Sequence, residues 1–86
     1  MSAQQNLNLE NYWLPFTPNK KFKANPRLLV SAKGMHYKTD DGREILDGIS
    51  GLWCCNAGHC HPKIVSAVQH QVGELDYATA FNMSHP

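Results

Sequence analysis

Leu28-Leu29-Val30-Ser31-Ala32-Lys33-Gly34-Met35-His36-Tyr37-Lys38-Thr39-Asp40-Asp41-Gly42-Arg43-Glu44-Ile45-Leu46-Asp47 is the stretch that decides how this 86-residue chain folds. Three short runs, 28–33, 35–39 and 44–47, are separated by Gly34 and by Asp40-Asp41-Gly42-Arg43. Residues 35–39 alternate their side chains. Asp-Gly between two such runs marks a hairpin, because glycine accepts positive φ without steric cost. Residues 28–48 therefore read as a three-stranded antiparallel meander.

Downstream, residues 48–61 (GISGLWCCNAGHCH) hold three glycines and no periodicity, which predicts a loop. Pro62 then opens a helix, at a position where its missing N–H has no intrahelical partner to lose. Ile64, Val68, Val72 and Leu75 recur at helical spacing, while Lys63, Ser66, Gln69, His70 and Glu74 fall largely on the other face. That is an amphipathic helix of about three turns. Residues 76–86 return to an aromatic-containing loop. Upstream, Tyr12-Trp13-Leu14-Pro15-Phe16-Thr17-Pro18 contains two prolines, which fix φ and bias the preceding residues toward extended backbone. Its aromatics are expected on a rigid extended loop. Lys20, Lys21, Lys23 and Arg27 cluster around Phe22 between prolines and read as a solvated loop. The first eleven residues read as a polar tail or a short, weak helix.

Eight basic and seven acidic residues leave a net charge of +1, so no global field draws nucleic acid or anionic lipid. No apolar run approaches the ~18 residues of a membrane span. The opening MSAQQNLNLENY has neither a basic n-region nor an apolar h-region, so it does not read as a signal peptide. Cys54, Cys55 and Cys60 are accordingly expected as reduced thiols in a cytoplasmic protein. Hydrophobic residues make up 42% of the chain, a globular composition, yet charged residues are only 17% and the solvated surface is thin. Tyr12, Trp13, Phe16, Trp53, Tyr77 and Phe81 all fall on expected loops. One small sheet and one helix hardly supply a surface to bury them. The inventory reads as a piece of something larger.

Cys54, Cys55, His59, Cys60 and His61 crowd into eight residues, which raises a small metal- or haem-binding module as an alternative function. The pattern misses the C-x₂₋₄-C pairs of structural zinc and the C-x-x-C-H of c-type haem. Adjacent side chains in extended chain also point apart, so semi-buried thiols and loop imidazoles are the simpler reading and no metal ligand is assigned. Gly48, Gly51 and Gly58 match neither G-x-G-x-x-G nor a Walker loop. His61 before Pro62 reads as a helix cap. Asp47, at a strand end, reads as a turn residue, since no second acid or nucleophile is paired with it in sequence. Phe16, Leu52, Trp53 and Phe81 fit the wall of an apolar small-molecule pocket, and fit packing against further protein equally well.

Asp47-Gly48-Ile49-Ser50-Gly51-Leu52-Trp53-Cys54, followed by Gly58-His59 and His61-Pro62, resembles the class III pyridoxal-phosphate aminotransferases. The likeness is greatest to the ω-amino acid:pyruvate (β-alanine:pyruvate) transaminases. It extends over nearly the whole chain, through Trp13-Leu14-Pro15-Phe16-Thr17, Asn25-Pro26-Arg27, Asp40-Asp41-Gly42-Arg43, Leu75-Asp76-Tyr77 to Phe81, and His85-Pro86. Cys54-Cys55-Asn56 and Asn82-Met83 depart from the family pattern. The resemblance implies an α/β enzyme of the type I aminotransferase fold, of which this α+β piece is the N-terminal portion. Residues 1–27 would be an N-terminal arm and aromatic/proline loop. Residues 28–86 would begin the small domain and its connection toward the large one.

The resemblance further implies pyridoxal 5'-phosphate as cofactor, with its phosphate loop, pyridine-nitrogen aspartate and Schiff-base lysine all beyond Pro86. None of the six lysines here matches that lysine's context, so no catalytic residue is assigned to this chain and its cofactor-binding residues remain unassigned. By motif position Phe16, Leu52, Trp53 and Phe81 resemble substrate-pocket residues, some facing a site shared across a dimer. The implied partners are the remainder of the same polypeptide, a second subunit in a homodimer or homotetramer, and a small amine donor and keto acid. No nucleic-acid or membrane partner is expected.

Overall fold

The computed structural model describes residues 7–86, so most of the expected polar tail lies outside the described residues. The elements run α1 (Asn19–Ala24), β1 (Leu29–Lys33), β2 (His36–Thr39), β3 (Glu44–Leu46), α2 (Ser50–Trp53) and α3 (Pro62–Glu74). The three strands form one antiparallel sheet in the order β1-β2-β3, the meander expected from residues 28–48.

Register follows from the turns. Lys33 pairs with His36 across Gly34-Met35. Gly34 has φ 59° at the first central position, where a type II′ hairpin turn requires glycine. Met35 therefore belongs to the turn rather than to β2, one residue later than the alternation predicts. The second hairpin closes on Thr39, which is 2% exposed. Its N–H donates to the Arg43 carbonyl at 2.9 Å, its hydroxyl accepts the Arg43 N–H at 3.0 Å, and that hydroxyl donates to the Asp41 carboxylate. Gly42 (φ 86°) supplies the left-handed residue. Ala32, Tyr37 and Ile45 stand opposite one another across the three strands and are the half-buried positions of one sheet face.

Residues 19–24, expected as solvated loop, form the single short helix α1. The prolines flank this segment rather than interrupt it: Pro18 precedes its first turn and Asn25-Pro26 ends it. Asn19 supplies what the charge pattern hid. Only 5% exposed, its side chain accepts the Leu14 N–H at 2.7 Å and donates to the Leu14 and Thr17 carbonyls at 2.9 Å each. The aromatic loop is thereby folded back onto the start of α1.

Helix α3 begins at Pro62 as expected and runs for 13 residues. His61 caps it, its Nδ1 accepting the Lys63 N–H at 3.2 Å, which satisfies one orphan donor of the first turn. Its apolar stripe is uncovered: Ile64, Val68, Val72 and Leu75 are all 40–60% exposed. Among the described residues no large hydrophobic side chain is buried at all, and Trp13, Phe16, Trp53, Tyr77 and Phe81 are each at least 75% exposed. Three strands and a helix become secure only when an apolar face is covered, and among the described residues none is fully covered.

Candidate functional site

Among the described residues the most buried side chains include several polar ones, and one cluster of these lies at the end of β3. The Asp47 and His59 side chains are 4% and 9% exposed, with Asp47 Oδ2 2.6 Å from His59 Nε2. An ionised carboxylate only accepts, so Nε2 carries the proton. The His59 ring lies 4.4 Å from the Tyr37 ring, inclined at 49°. The His59 backbone bonds in both directions to Gly34, at 2.7 and 3.0 Å, and pins residue 59 to the β1–β2 turn. Gly58 (φ 84°) permits that approach, since a Cβ there would sit 3.3 Å from the Gly34 carbonyl oxygen.

The same carboxylate reaches into the following turn. Asp47 Oδ1 accepts the Ile49 N–H at 3.2 Å, and the Asp47 N–H donates to the Met35 carbonyl at 2.8 Å. The Gly51 N–H turned toward it holds the Asp47 carboxyl below its ordinary pKa. Burial opposes that effect, and His59 and the Ile49 N–H add to it. Tyr37 is shifted upward, first by burial and then by the neighbouring Asp47 charge.

What this base supports is α2, a single turn wound left-handed. Ser50, Gly51, Leu52 and Trp53 have φ of 52°, 60°, 63° and 71°. Only one of the four is glycine, and a left-handed non-glycine residue costs about 1–2 kcal/mol. Hydrogen bonds from the N–H groups of Leu52 and Trp53 to Ile49 O, and of Cys54 and Cys55 to Ser50 O, close the turn at 2.8–3.1 Å. Strain of this kind persists only where the surroundings over-determine it. The loop expected over 48–61 thus contains a defined structure that periodicity could not reveal, because handedness leaves no sequence period.

Of the four residues singled out as substrate-facing, Leu52 and Trp53 stand side by side on this turn, 65% and 88% exposed. Phe16 (107% exposed, φ 50°) sits in the loop clamped by Asn19, and Phe81 (83%) precedes the left-handed Asn82 (φ 60°). Trp53 lines an open depression of 560 Å³ with Gly48, Ile49, Ser50 and Asn56, and none of the other three lines it. The chain presents all four outward from three separate loops.

Sequence reasoning missed His59 as the partner of Asp47. Their twelve-residue separation carries no periodic signal, and the pairing needs the bridge to Gly34. The other candidate ligands point to separate tasks: His61 caps α3 and the Cys54 thiol donates to the Leu52 carbonyl at 3.4 Å. Among the described residues no three His, Cys, Asp or Glu side chains converge on an ion position, and the three cysteines are free thiols. No described helix is long and apolar enough to cross a membrane.

A phosphate cradle needs convergent free N–H donors. The N–H groups of Ile49, Leu52, Trp53, Cys54 and Cys55 are all taken by internal acceptors. Those five N–H groups of the turn are therefore not available to a phosphate.

Matches to known proteins agree with the geometry. An ω-transaminase structure from Pseudomonas jessenii, determined in complex with PMP, superposes with a TM-score of 0.81, covering 100% of this chain and 19% of that one at 21% identity. The family model "Aminotransferase class-III" matches residues 18–85. The chain belongs to the class-III aminotransferases. It is 59% identical over 91% of its length to an omega-aminotransferase of Caulobacter vibrioides, and 45% identical over 93% to a beta-alanine–pyruvate aminotransferase of Pseudomonas aeruginosa. It spans 18% of the length of each of these relatives.

Proposed function

We propose that this chain is the N-terminal segment of an ω-transaminase subunit that moves an amino group from an ω-amino acid or amine to pyruvate. In this reading Phe16, Leu52, Trp53 and Phe81 wall the substrate pocket, some of them across a subunit interface, and the remainder of the polypeptide holds pyridoxal phosphate. The observation that carries it is the display of Leu52 and Trp53, 65% and 88% exposed, from a strained turn over a buried polar base. The name of the P. aeruginosa relative supports pyruvate as the acceptor.

Large apolar side chains on fixed loops bind the carbon skeleton of an amine and set its steric limit. Pyridoxal phosphate, held by the remainder of the polypeptide, would supply an electron sink for the chemistry at the amino carbon. The Cys/His segment contributes no catalytic group in this reading, and the chain alone is inactive. Residues 1–27 act as an arm and residues 28–86 open the small domain, in a cytoplasmic homodimer or homotetramer whose second subunit covers the exposed aromatics.

The test is purification of the protein with whatever longer chain it belongs to. Native mass should show a species several times larger than 86 residues. It should carry a pyridoxal phosphate absorbance band that bleaches with borohydride, and transfer nitrogen from β-alanine to pyruvate. A lone, folded 86-residue species without that band overturns the reading.

A further inference from the structure

The pairing of Asp47 with His59 serves no step assigned above, yet it is among the most buried groups in a chain whose hydrophobic residues are exposed. Three independent anchors meet in it. The His59 backbone is bridged to Gly34, its ring rests on Tyr37 from the middle of the sheet, and its Nε2–H is held by Asp47 at the end of β3. From that fixed point the other Asp47 oxygen takes the Ile49 N–H, and the Gly51 N–H turns toward the same carboxylate. Those are the two residues that flank the start of the left-handed turn. Tyr37 closes the set from below: a Cβ on Gly51 would stand 3.2 Å from its hydroxyl.

A run of four left-handed residues, three of them with a Cβ, relaxes unless something holds it. Gly48 gives no help: nothing lies within 4 Å of its Cβ position. The loop beyond, Asn56 to Gly58, contributes only the Gly58 N–H to Cys55 O bond at 2.9 Å. Relaxation would rotate Leu52 and Trp53, the residues whose direction matters if they meet substrate.

We infer that Asp47, His59 and Tyr37 are positioning residues for substrate selection: they lock the Ser50–Trp53 turn in its left-handed form and so fix where Leu52 and Trp53 stand. They touch no reacting atom and act only through that turn. This rests on the reading of Leu52 and Trp53 as substrate-facing. A group that merely keeps the protein folded would lower the active fraction equally for every substrate. A positioning group changes the relative treatment of large and small amines, because a wall displaced by a fraction of an ångström admits or rejects bulk.

The experiment uses the full-length holoenzyme carrying His59→Ala, His59→Gln, Tyr37→Phe or Trp53→Ala. For each, kcat and KM are measured with a bulky aryl-alkyl amine and with β-alanine, beside bound cofactor measured by absorbance. His59→Ala should move the ratio of the two kcat/KM values by about tenfold or more, in KM more than kcat, at unchanged cofactor content. His59→Gln keeps an N–H donor and should restore most of the ratio. Tyr37→Phe, which removes only a hydroxyl, should give a smaller shift in the same direction.

An equal fall for both amines in His59→Ala overturns the inference, as does a loss that tracks cofactor content, or a Gln variant no better than Ala. If His59→Ala does not fold, an unchanged ratio in Tyr37→Phe together with unchanged KM values overturns it instead. Trp53→Ala separates the two readings. A shifted ratio there beside a flat His59→Ala refutes the positioning role alone. A flat Trp53→Ala refutes the substrate wall and the inference with it.

Discussion

Adding one methyl group at Gly51 tests whether the left-handed turn is held by contact with the sheet. At φ 60° an alanine pays the left-handed cost of about 1–2 kcal/mol, offset by about 0.4–1 kcal/mol of reduced unfolded-state entropy. Its Cβ would also lie 3.2 Å from both Cys55 Sγ and the Tyr37 hydroxyl oxygen. The thiol can rotate away. The tyrosine is less free, because its ring packs at a tilt against His59 and its hydroxyl faces Asp47. The turn must therefore lift, with an overpacking cost of about 1–3 kcal/mol. Gly51→Ala is expected to destabilise by about 1–4.5 kcal/mol in total. Gly42→Ala is the control: its φ is 86° but nothing lies within 4 Å of the added Cβ, so only the backbone term of about 1 kcal/mol applies. The assay is the urea midpoint of the full-length enzyme at constant m. Equal midpoint shifts for the two glycines would refute the argument that the turn rests on Tyr37.

Other outcomes follow from single contacts. Asn19→Ala removes three hydrogen bonds to the aromatic loop and should cost about 1–3 kcal/mol, read as a lower Tm and faster proteolysis between residues 12 and 18. His61→Asp places a stronger cap with favourable charge at the start of α3 and should raise stability by about 0.5–1 kcal/mol in the same melts. The Asp47 carboxyl, held below its ordinary 3.8, contributes stability that is present above that pH and lost as pH falls through the lowered value. In Asp47→Asn the Tm difference from wild type should therefore shrink toward pH 3. Tyr37, raised above 10.0, contributes below that pH and loses its contribution as pH rises through the raised value, so Tyr37→Phe should flatten the alkaline limb of Tm against pH.

Much of the fold is legible because its signals are local. Gly34 and Asp41-Gly42 fix two hairpins, and Pro62 with the stripe at 64, 68, 72 and 75 fixes α3, each within a few residues. The family likeness in residues 47–62 is equally plain. Helix α1 was hidden because lysines between prolines look solvated, and because Asn19, whose side chain organises the segment, reads as an ordinary loop residue. The left-handed turn was hidden for a different reason: Ser, Leu and Trp carry no propensity for positive φ, so nothing in their identities announces it. The buried Asp47–His59 pair was invisible because it depends on a bridge between residues 34 and 59. Phe16, Leu52, Trp53 and Phe81 could be named as displayed apolar residues.

The left-handed turn also bears on how such a site diversifies. Positions 52 and 53 contribute backbone strain to the chain but almost no burial, while positions 37, 47 and 59 contribute the restraint. Support and display are carried by different residues. Exchanging one exposed side chain for another at 52 or 53 alters the shape offered to a ligand at a stability change usually within about 0.5 kcal/mol. Sequence drift can thus reshape the tip of the turn while the polar base beneath it stays unchanged.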